Sequence, residues 1–88
     1  MAMSPKQLLK RCDIRERVEA DFAPGGEVYE EFRRQVLRLG PAEVARMVGC
    51  SRQTPHNLID GRTALSPKWV RMLAESLLAQ DAIEKGGE

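Results

Sequence analysis

Aromatic residues are scarce in this sequence. Of its 88 residues only two Phe, one Trp and one Tyr are aromatic, so a core must come mainly from Leu, Val, Ala and Met. The length allows one small domain and no second core. No run of about 18 apolar residues occurs, which predicts that no helix spans a membrane. The charged first twelve residues have no apolar stretch behind them, so we expect no secretory signal there.

Cysteine and histidine are also rare, which argues against most metal and redox chemistry. Cys12 and Cys50 stand 38 positions apart, no CxxC pair occurs, and His56 is the only histidine. We therefore expect no metal site and no cofactor, with both thiols reduced. Because no nucleophile or carboxylate pattern accompanies His56, we expect no catalytic residue and no enzyme activity. Cys50 is interpreted as buried apolar filler rather than as a redox sensor.

Charge is distributed unevenly, which the net charge of +1 conceals. Positions 1–32 hold five basic and seven acidic residues, and positions 72–88 hold one basic and four acidic residues. Between them, positions 33–71 hold eight basic residues against two acidic ones, a net charge of +6. A local excess of Arg and Lys is typical of surfaces that contact phosphate groups, although a solvated face is the common reason for any single basic run.

Apolar residues follow helical spacing and no alternating strand pattern occurs, so the predicted fold class is all-α, a compact bundle of about five short helices. Ser-Pro pairs at 4–5 and 66–67 are typical helix starts. The expected helices cover 5–21, 27–39, 41–48, 52–60 and 67–79. The expected organisation is an amino-terminal helix with a Pro-Gly-Gly linker (1–26), used for packing or dimerisation, then a main helical domain (27–83) and a flexible tail (84–88).

Each predicted helix carries an apolar stripe that should contribute to one core. The stripe residues are Leu8, Cys12 and Phe22, with Leu9 and Val18 beside them; Val28, Phe32, Val36 and Leu39; Val44, Ala45 and Val48; and Val70, Leu73 and Leu77, flanked by Trp69, Met72 and Leu78. The last helix has the broadest stripe, and we expect it to close the core.

The segment from Gly40 to Gly61, GPAEVARMVGCSRQTPHNLIDG, carries most of the functional information. Ala45 is small enough to let a second helix approach, and Gly49 can adopt the left-handed conformation that ends the first helix. Two short helices joined by such a turn form a helix-turn-helix, whose second helix fits the major groove of DNA. This segment coincides with the basic block, which favours the electrostatic interpretation of that block.

The stretches VARMVGCSRQT, NLIDGR and LSPKWVRMLAESL make positions 44–77 resemble the Cro/C1-type (lambda-repressor-like, XRE) helix-turn-helix family of phage and bacterial transcription regulators. The likeness covers about 35 of the 88 residues. Its closing segment is similar to that of HigA-type antitoxins. The residues that fall on family positions together are Ala45, Gly49, Ser51, Leu58 and Gly61.

The resemblance implies roles for eight residues of this segment. Those that would face base edges are Arg52, Gln53, His56 and Asn57. Those that would contact phosphates are Ser51, Thr54, Arg62 and Thr63. The chemistry suits these roles, because Arg can donate two hydrogen bonds to guanine and Gln or Asn can pair with adenine, whereas phosphate contacts fix register without reading sequence.

Two prolines depart from the family pattern. Pro55 stands where the family usually has Val or Ile, and it disfavours helical angles at Thr54. If Ser51 caps the helix, Pro55 is the fourth residue and one hydrogen bond is lost; if Thr54 caps it, the helix covers only 55–60. A distorted or late start is favoured. Pro41 stands where the family often has a phosphate-binding Gln, which leaves only backbone N–H groups for that contact.

The resemblance therefore implies a sequence-specific transcriptional regulator with 27–83 as its DNA-binding domain. A repressor that binds a palindromic operator as a homodimer is the leading interpretation, since one recognition helix reads only a few base pairs. The alternative is an antitoxin that neutralises a toxin protein and autoregulates its operon, and an adaptor that does not bind DNA is a third. The expected partners are double-stranded DNA and a second copy, in a bacterial cytoplasm at the nucleoid, with no membrane.

Overall fold

The computed structural model describes residues 3–13, 15 and 17–86, with the backbone alone from 82 onwards. Its elements are α1 (Pro5–Cys12), a 3₁₀ helix (Glu19–Phe22), α2 (Glu27–Leu39), α3 (Pro41–Val48), α4 (Gln53–Ile59) and α5 (Pro67–Gly86). These described ranges contain five α-helices and no strand, so the predicted all-α fold class is confirmed. In the same ranges no helix is long and apolar enough to cross a membrane.

One hydrophobic core joins the helices. α1 packs along α5, the 3₁₀ helix packs on α2, and α3 lies against α2, α4 and α5. The predicted stripe residues that are buried are Leu8, Cys12, Phe22, Val28, Phe32, Val36, Val44, Ala45, Val48, Val70 and Leu73. Those that pack on the core while partly exposed are Leu9, Leu39, Trp69, Met72 and Leu77.

The first helix is shorter than predicted. It begins as expected, with Ser4 and Gln7 forming a reciprocal capping box before Pro5, but it ends at Cys12 rather than near 21. The Asp13 carboxylate accepts from the N–H of Arg15 at 2.9 Å, which offers the backbone an alternative to helix. A continuous helix would also turn Phe22 about 80° away from the Cys12 face. The break and the separate 3₁₀ helix bury Phe22 and leave Val18, predicted beside the stripe, 53% exposed.

The Pro-Gly-Gly linker lets the 3₁₀ helix lie directly against the start of α2. Gly26 is the cap of α2, with φ −75°, a conformation open to any residue. A β-carbon at this position would lie 2.2 Å from the carbonyl oxygen of Ala20. Glycine is therefore required here by the close approach of two backbone segments, not by its freedom to adopt unusual angles.

The bounds of α2 and α3 match those predicted from Gly40 and Pro41. Gly40 has φ +96° and lies between the two helices, and Pro41 occupies the first turn of α3. α5 begins at Pro67 as predicted, but it continues to Gly86, past the expected end near 79 and into the predicted tail. Positions 80–85 contain no Gly or Pro, so nothing local ends the helix sooner.

The most buried acidic residue of the described chain is Glu31, which the sequence pattern did not single out. Its side chain is 2% exposed although it stands among polar neighbours on α2. It accepts hydrogen bonds from the backbone N–H of Met3 at 3.2 Å, from Arg34 at 2.6 Å and from Gln35 at 2.8 Å. These bonds compensate its desolvation and tie the segment before α1 to α2.

Candidate nucleic-acid interface

The turn between α3 and α4 is held by backbone hydrogen bonds to the end of α3. Gly49 adopts φ +70° and ψ +34°, the left-handed conformation expected from the sequence, and its N–H donates to the carbonyl of Ala45. The N–H of Cys50 donates to the same carbonyl at 3.1 Å. Ala45 is buried, and α3 packs against α4. A small residue and a left-handed glycine thus bring the two helices together.

The helix α4 begins between the two starts considered from the sequence. It covers Gln53–Ile59, and Arg52 before it already has helical angles, φ −60° and ψ −28°. Pro55 is therefore the third helical residue. The N–H groups of the first three residues of a helix have no partner within it, so no hydrogen bond is lost at Pro55. The carbonyl of Ser51 accepts from the N–H of Thr54 at 3.2 Å. The proline is therefore tolerated in the first turn, and no side chain caps this helix.

The end of α4 is held by α2. The buried hydroxyl of Tyr29 donates to the carbonyl of Leu58 at 2.5 Å, and Arg33 Nε donates to the carbonyl of Ile59 at 3.3 Å. Beyond the helix, Gly61 has φ +74°, and the N–H of Arg62 returns to the carbonyl of Asn57 at 2.8 Å. Carbonyls at a helix end lack partners within the helix, so these bonds satisfy them and orient α4.

Sequence reasoning missed the roles of Tyr29 and Arg33. The apolar stripe predicted for α2 does not include Tyr29, and the sequence gives Arg33 no role beyond its place in the basic block at 33–71. Both lie next to the predicted apolar stripe of α2, four residues apart and therefore on the same side of the helix. That spacing could have indicated a shared target, but it does not reveal which carbonyls they would reach.

The predicted base-contacting residues lie on the outer side of α4. Arg52, Gln53 and His56 are exposed and Asn57 is half-buried, whereas Pro55 faces the core. Within the described residues Arg52 has no ion-pair partner, while Gln53 Nε2 donates to Asn57 Oδ1 at 3.2 Å. The exposed side thus carries one free guanidinium, one imidazole and a linked pair of amides.

The predicted phosphate-contacting residues fall into two groups at opposite ends of α4. Ser51 lies before the helix and Thr54 is its second residue, and their hydroxyl groups share a hydrogen bond of 3.2 Å. Arg62 and Thr63 follow it; the Arg62 side chain is 73% exposed, and its Nε lies 3.9 Å from Asp60. The eight predicted residues thus lie along α4 and the turns on either side of it, with Thr54 and Thr63 half-buried and Ser51 and Arg62 exposed.

Several basic residues of the 33–71 block are committed to contacts within the chain. Arg34 pairs with the buried Glu31, Arg38 bonds to Gln35 and Arg46 pairs with Glu43. The hydrogen bond to Glu43 raises the pKa of Arg46 further above its usual value. The residues that are exposed without a carboxylate partner in the described part of the chain are Arg38, Arg52, Lys68 and Arg71. Four of the eight basic residues in this block therefore carry a positive charge that no described carboxylate compensates.

The thiols lie in apolar surroundings. Burial raises the pKa of Cys12, whose Sγ donates to the carbonyl of Pro67 at 3.5 Å. Burial also raises the pKa of Cys50, which is half-buried in the turn. A raised pKa keeps a thiol protonated and less nucleophilic. Over the described ranges, no group of three or more His, Cys, Asp and Glu side chains could hold a metal ion.

Comparison with known proteins identifies no relative, since no family model, curated protein or solved structure matches this chain. The class that the fold defines is a small all-α protein with an exposed short helix, α4, held between a glycine turn and the carbonyl contacts from α2.

Proposed function

We propose that this protein is a sequence-specific DNA-binding regulator of transcription. It uses α3, the turn and α4 as a helix-turn-helix, with α4 in the major groove of double-stranded DNA. It acts as a homodimer that represses transcription at a palindromic operator, in the bacterial cytoplasm at the nucleoid.

The observation that carries this proposal is the two-sided character of α4. Pro55 and Leu58 are buried on one side, while Arg52, Gln53 and His56 are exposed on the other. An exposed helix face usually carries Glu and Lys that only improve hydration, but α4 carries none of either. Guanidinium and amide groups are the side chains that read base edges in the major groove, so the composition of this face supports DNA recognition.

The length of α4 supports a dimer. Its seven residues span about 10 Å, close to the rise of three base pairs. A site so short occurs too often to be useful, and two helices about 34 Å apart on one face of the duplex read enough sequence.

Selection of binding sites from randomised duplexes tests the proposal. We expect an enriched inverted repeat whose half-sites are about 10 base pairs apart, centre to centre. Affinity for that site should fall steeply as salt rises from 50 to 200 mM, because phosphate contacts release counterions. The matched control is the Arg52→Ala, Gln53→Ala double variant, which should no longer enrich the repeat. Absence of enrichment by the wild-type protein, or binding insensitive to salt, would sink the proposal.

A further inference from the structure

Two amides on the exposed side of α4 are joined to each other. Gln53 Nε2 donates to Asn57 Oδ1 at 3.2 Å, between residues one helical turn apart. Gln53, in the first turn, is exposed, whereas Asn57 is half-buried. Asn57 is therefore the inner member of the pair and Gln53 the outer one.

The bond changes what Gln53 can offer to a base. A primary amide has two N–H donors and one carbonyl acceptor. One N–H of Gln53 is used on Asn57, which leaves one N–H and the acceptor Oε1. Adenine presents an acceptor, N7, beside a donor, its 6-amino group, and this matches what Gln53 retains.

The same bond disfavours guanine. Guanine presents two neighbouring acceptors, N7 and O6. A free glutamine can place both N–H groups on these acceptors, but Gln53 linked to Asn57 has only one to give. Its Oε1 would then lie against guanine O6, and two acceptors repel each other.

We infer that Gln53 and Asn57 act as one unit that reads adenine. Gln53 touches the base, and Asn57 is a positioning residue that sets the preference for adenine over guanine by holding one N–H of Gln53. This inference rests on the proposed function, and it gives Asn57 a different role from the direct base contact that the family resemblance implies.

The test compares affinities of four proteins for duplexes that carry the selected operator with adenine or guanine at one position. That position is the one at which Gln53→Ala abolishes base preference. We expect the wild-type protein to prefer adenine about tenfold or more. Asn57→Ala should reduce the ratio to about threefold or less by improving guanine binding relative to adenine. Asn57→Asp keeps an acceptor for Gln53, so it should preserve the ratio while weakening binding to both duplexes through its charge.

The outcomes separate this inference from the proposed function. A selection that enriches no sequence removes both. An enriched operator with no position that depends on Gln53, or no adenine preference at that position, overturns the inference alone. So does an Asn57→Ala ratio equal to that of the wild type, or an Asn57→Asp ratio as low as that of Asn57→Ala. Thermal unfolding midpoints of the variants verify folding, and Asn57→Leu, which fills the same half-buried space, replaces Asn57→Ala if that variant unfolds.

Discussion

Neighbouring side chains around α4 have different surroundings, so substitutions there should have different consequences. Arg52 lies at the start of the helix without an ion-pair partner in the described part of the chain, while Arg62 lies past its end, 3.9 Å from Asp60. Under the proposed function, we expect Arg52 to contact a base edge and Arg62 to contact phosphate.

Arg52→Ala and Arg62→Ala should therefore weaken DNA binding in different ways. Arg52→Ala should cost about 1–3 kcal/mol on the selected operator and relax base preference at one position. Arg62→Ala should weaken binding to all sequences alike and reduce the salt slope by about 1. Titrations of both variants against operator and scrambled duplexes over a salt series measure these effects. The assignment fails if Arg62→Ala changes base preference while Arg52→Ala does not.

A second residue-scale prediction concerns the hydroxyl of Tyr29. Burial raises the pKa of Tyr29, so its hydroxyl keeps the proton that it donates to the carbonyl of Leu58. Tyr29→Phe retains the ring and removes one of two donors to that carbonyl, which still accepts from the N–H of Gly61 at 3.2 Å. The loss of this one hydrogen bond should lower the free energy of unfolding by about 0.5–1.5 kcal/mol. The unfolding midpoint should fall by several degrees, as measured by circular dichroism. An unchanged midpoint would show that the hydroxyl contributes nothing to the position of α4.

At the scale of elements, two glycines are needed for different physical reasons. Position 49 needs glycine because its backbone is left-handed, with φ +70°. Space is not the reason, since a β-carbon there would meet no atom within 4 Å. Gly26 has ordinary angles, but a β-carbon there would collide with the backbone of Ala20. Glycine is thus required by backbone torsion at the end of α3 and by a close backbone contact at the start of α2.

Substitution by Ala and Asn should distinguish these two junctions. Gly49→Ala should cost about 1–2 kcal/mol, and Gly49→Asn less, because Asn adopts left-handed angles more readily. Gly26→Ala should cost about 1–3 kcal/mol or more, and Gly26→Asn should be no better, because any β-carbon collides. Urea denaturation of the four variants gives the comparison. If Asn were better than Ala at both sites, the contact explanation for Gly26 would be wrong.

At the scale of the whole molecule, the amino-terminal segment contributes to the core that supports α4. Leu8 is 1% exposed, and α1 packs along α5. The carboxylate of Glu31 also binds the backbone N–H of Met3. In the described chain, the core therefore includes residues that precede positions 44–77, the stretch that carries the family resemblance.

Leu8→Ala should consequently destabilise the entire chain. The expected loss is about 2–5 kcal/mol, a large share of the stability of a small domain. The matched control is Leu37→Ala, which removes the same side chain from a position 59% exposed and should change stability by about 0.5 kcal/mol or less. Chemical denaturation of both variants decides the matter. Similar losses for the two leucines would contradict a core role for α1.

The sequence alone was sufficient to predict features that depend on backbone torsion and hydrogen bonds within a few residues. Gly40-Pro41 predicted the junction of α2 and α3, Gly49 predicted the turn, and the apolar spacing predicted most buried positions. These features depend on local torsion and on the helical period, which a sequence displays directly.

Contacts between distant segments were decided only by the tertiary structure. The early end of α1 follows from burying Phe22, the buried Glu31 depends on Met3, and the end of α4 depends on Tyr29 of α2. Each involves partners many positions apart, which no periodic pattern pairs. The hydrogen bond between the side-chain amides of Gln53 and Asn57 joins neighbours on one helix turn. Which of the two amides donates depends on side-chain orientation. Local chemistry thus determined where α2 and α3 begin and end, and packing between distant segments determined where α1 ends and how α4 is held.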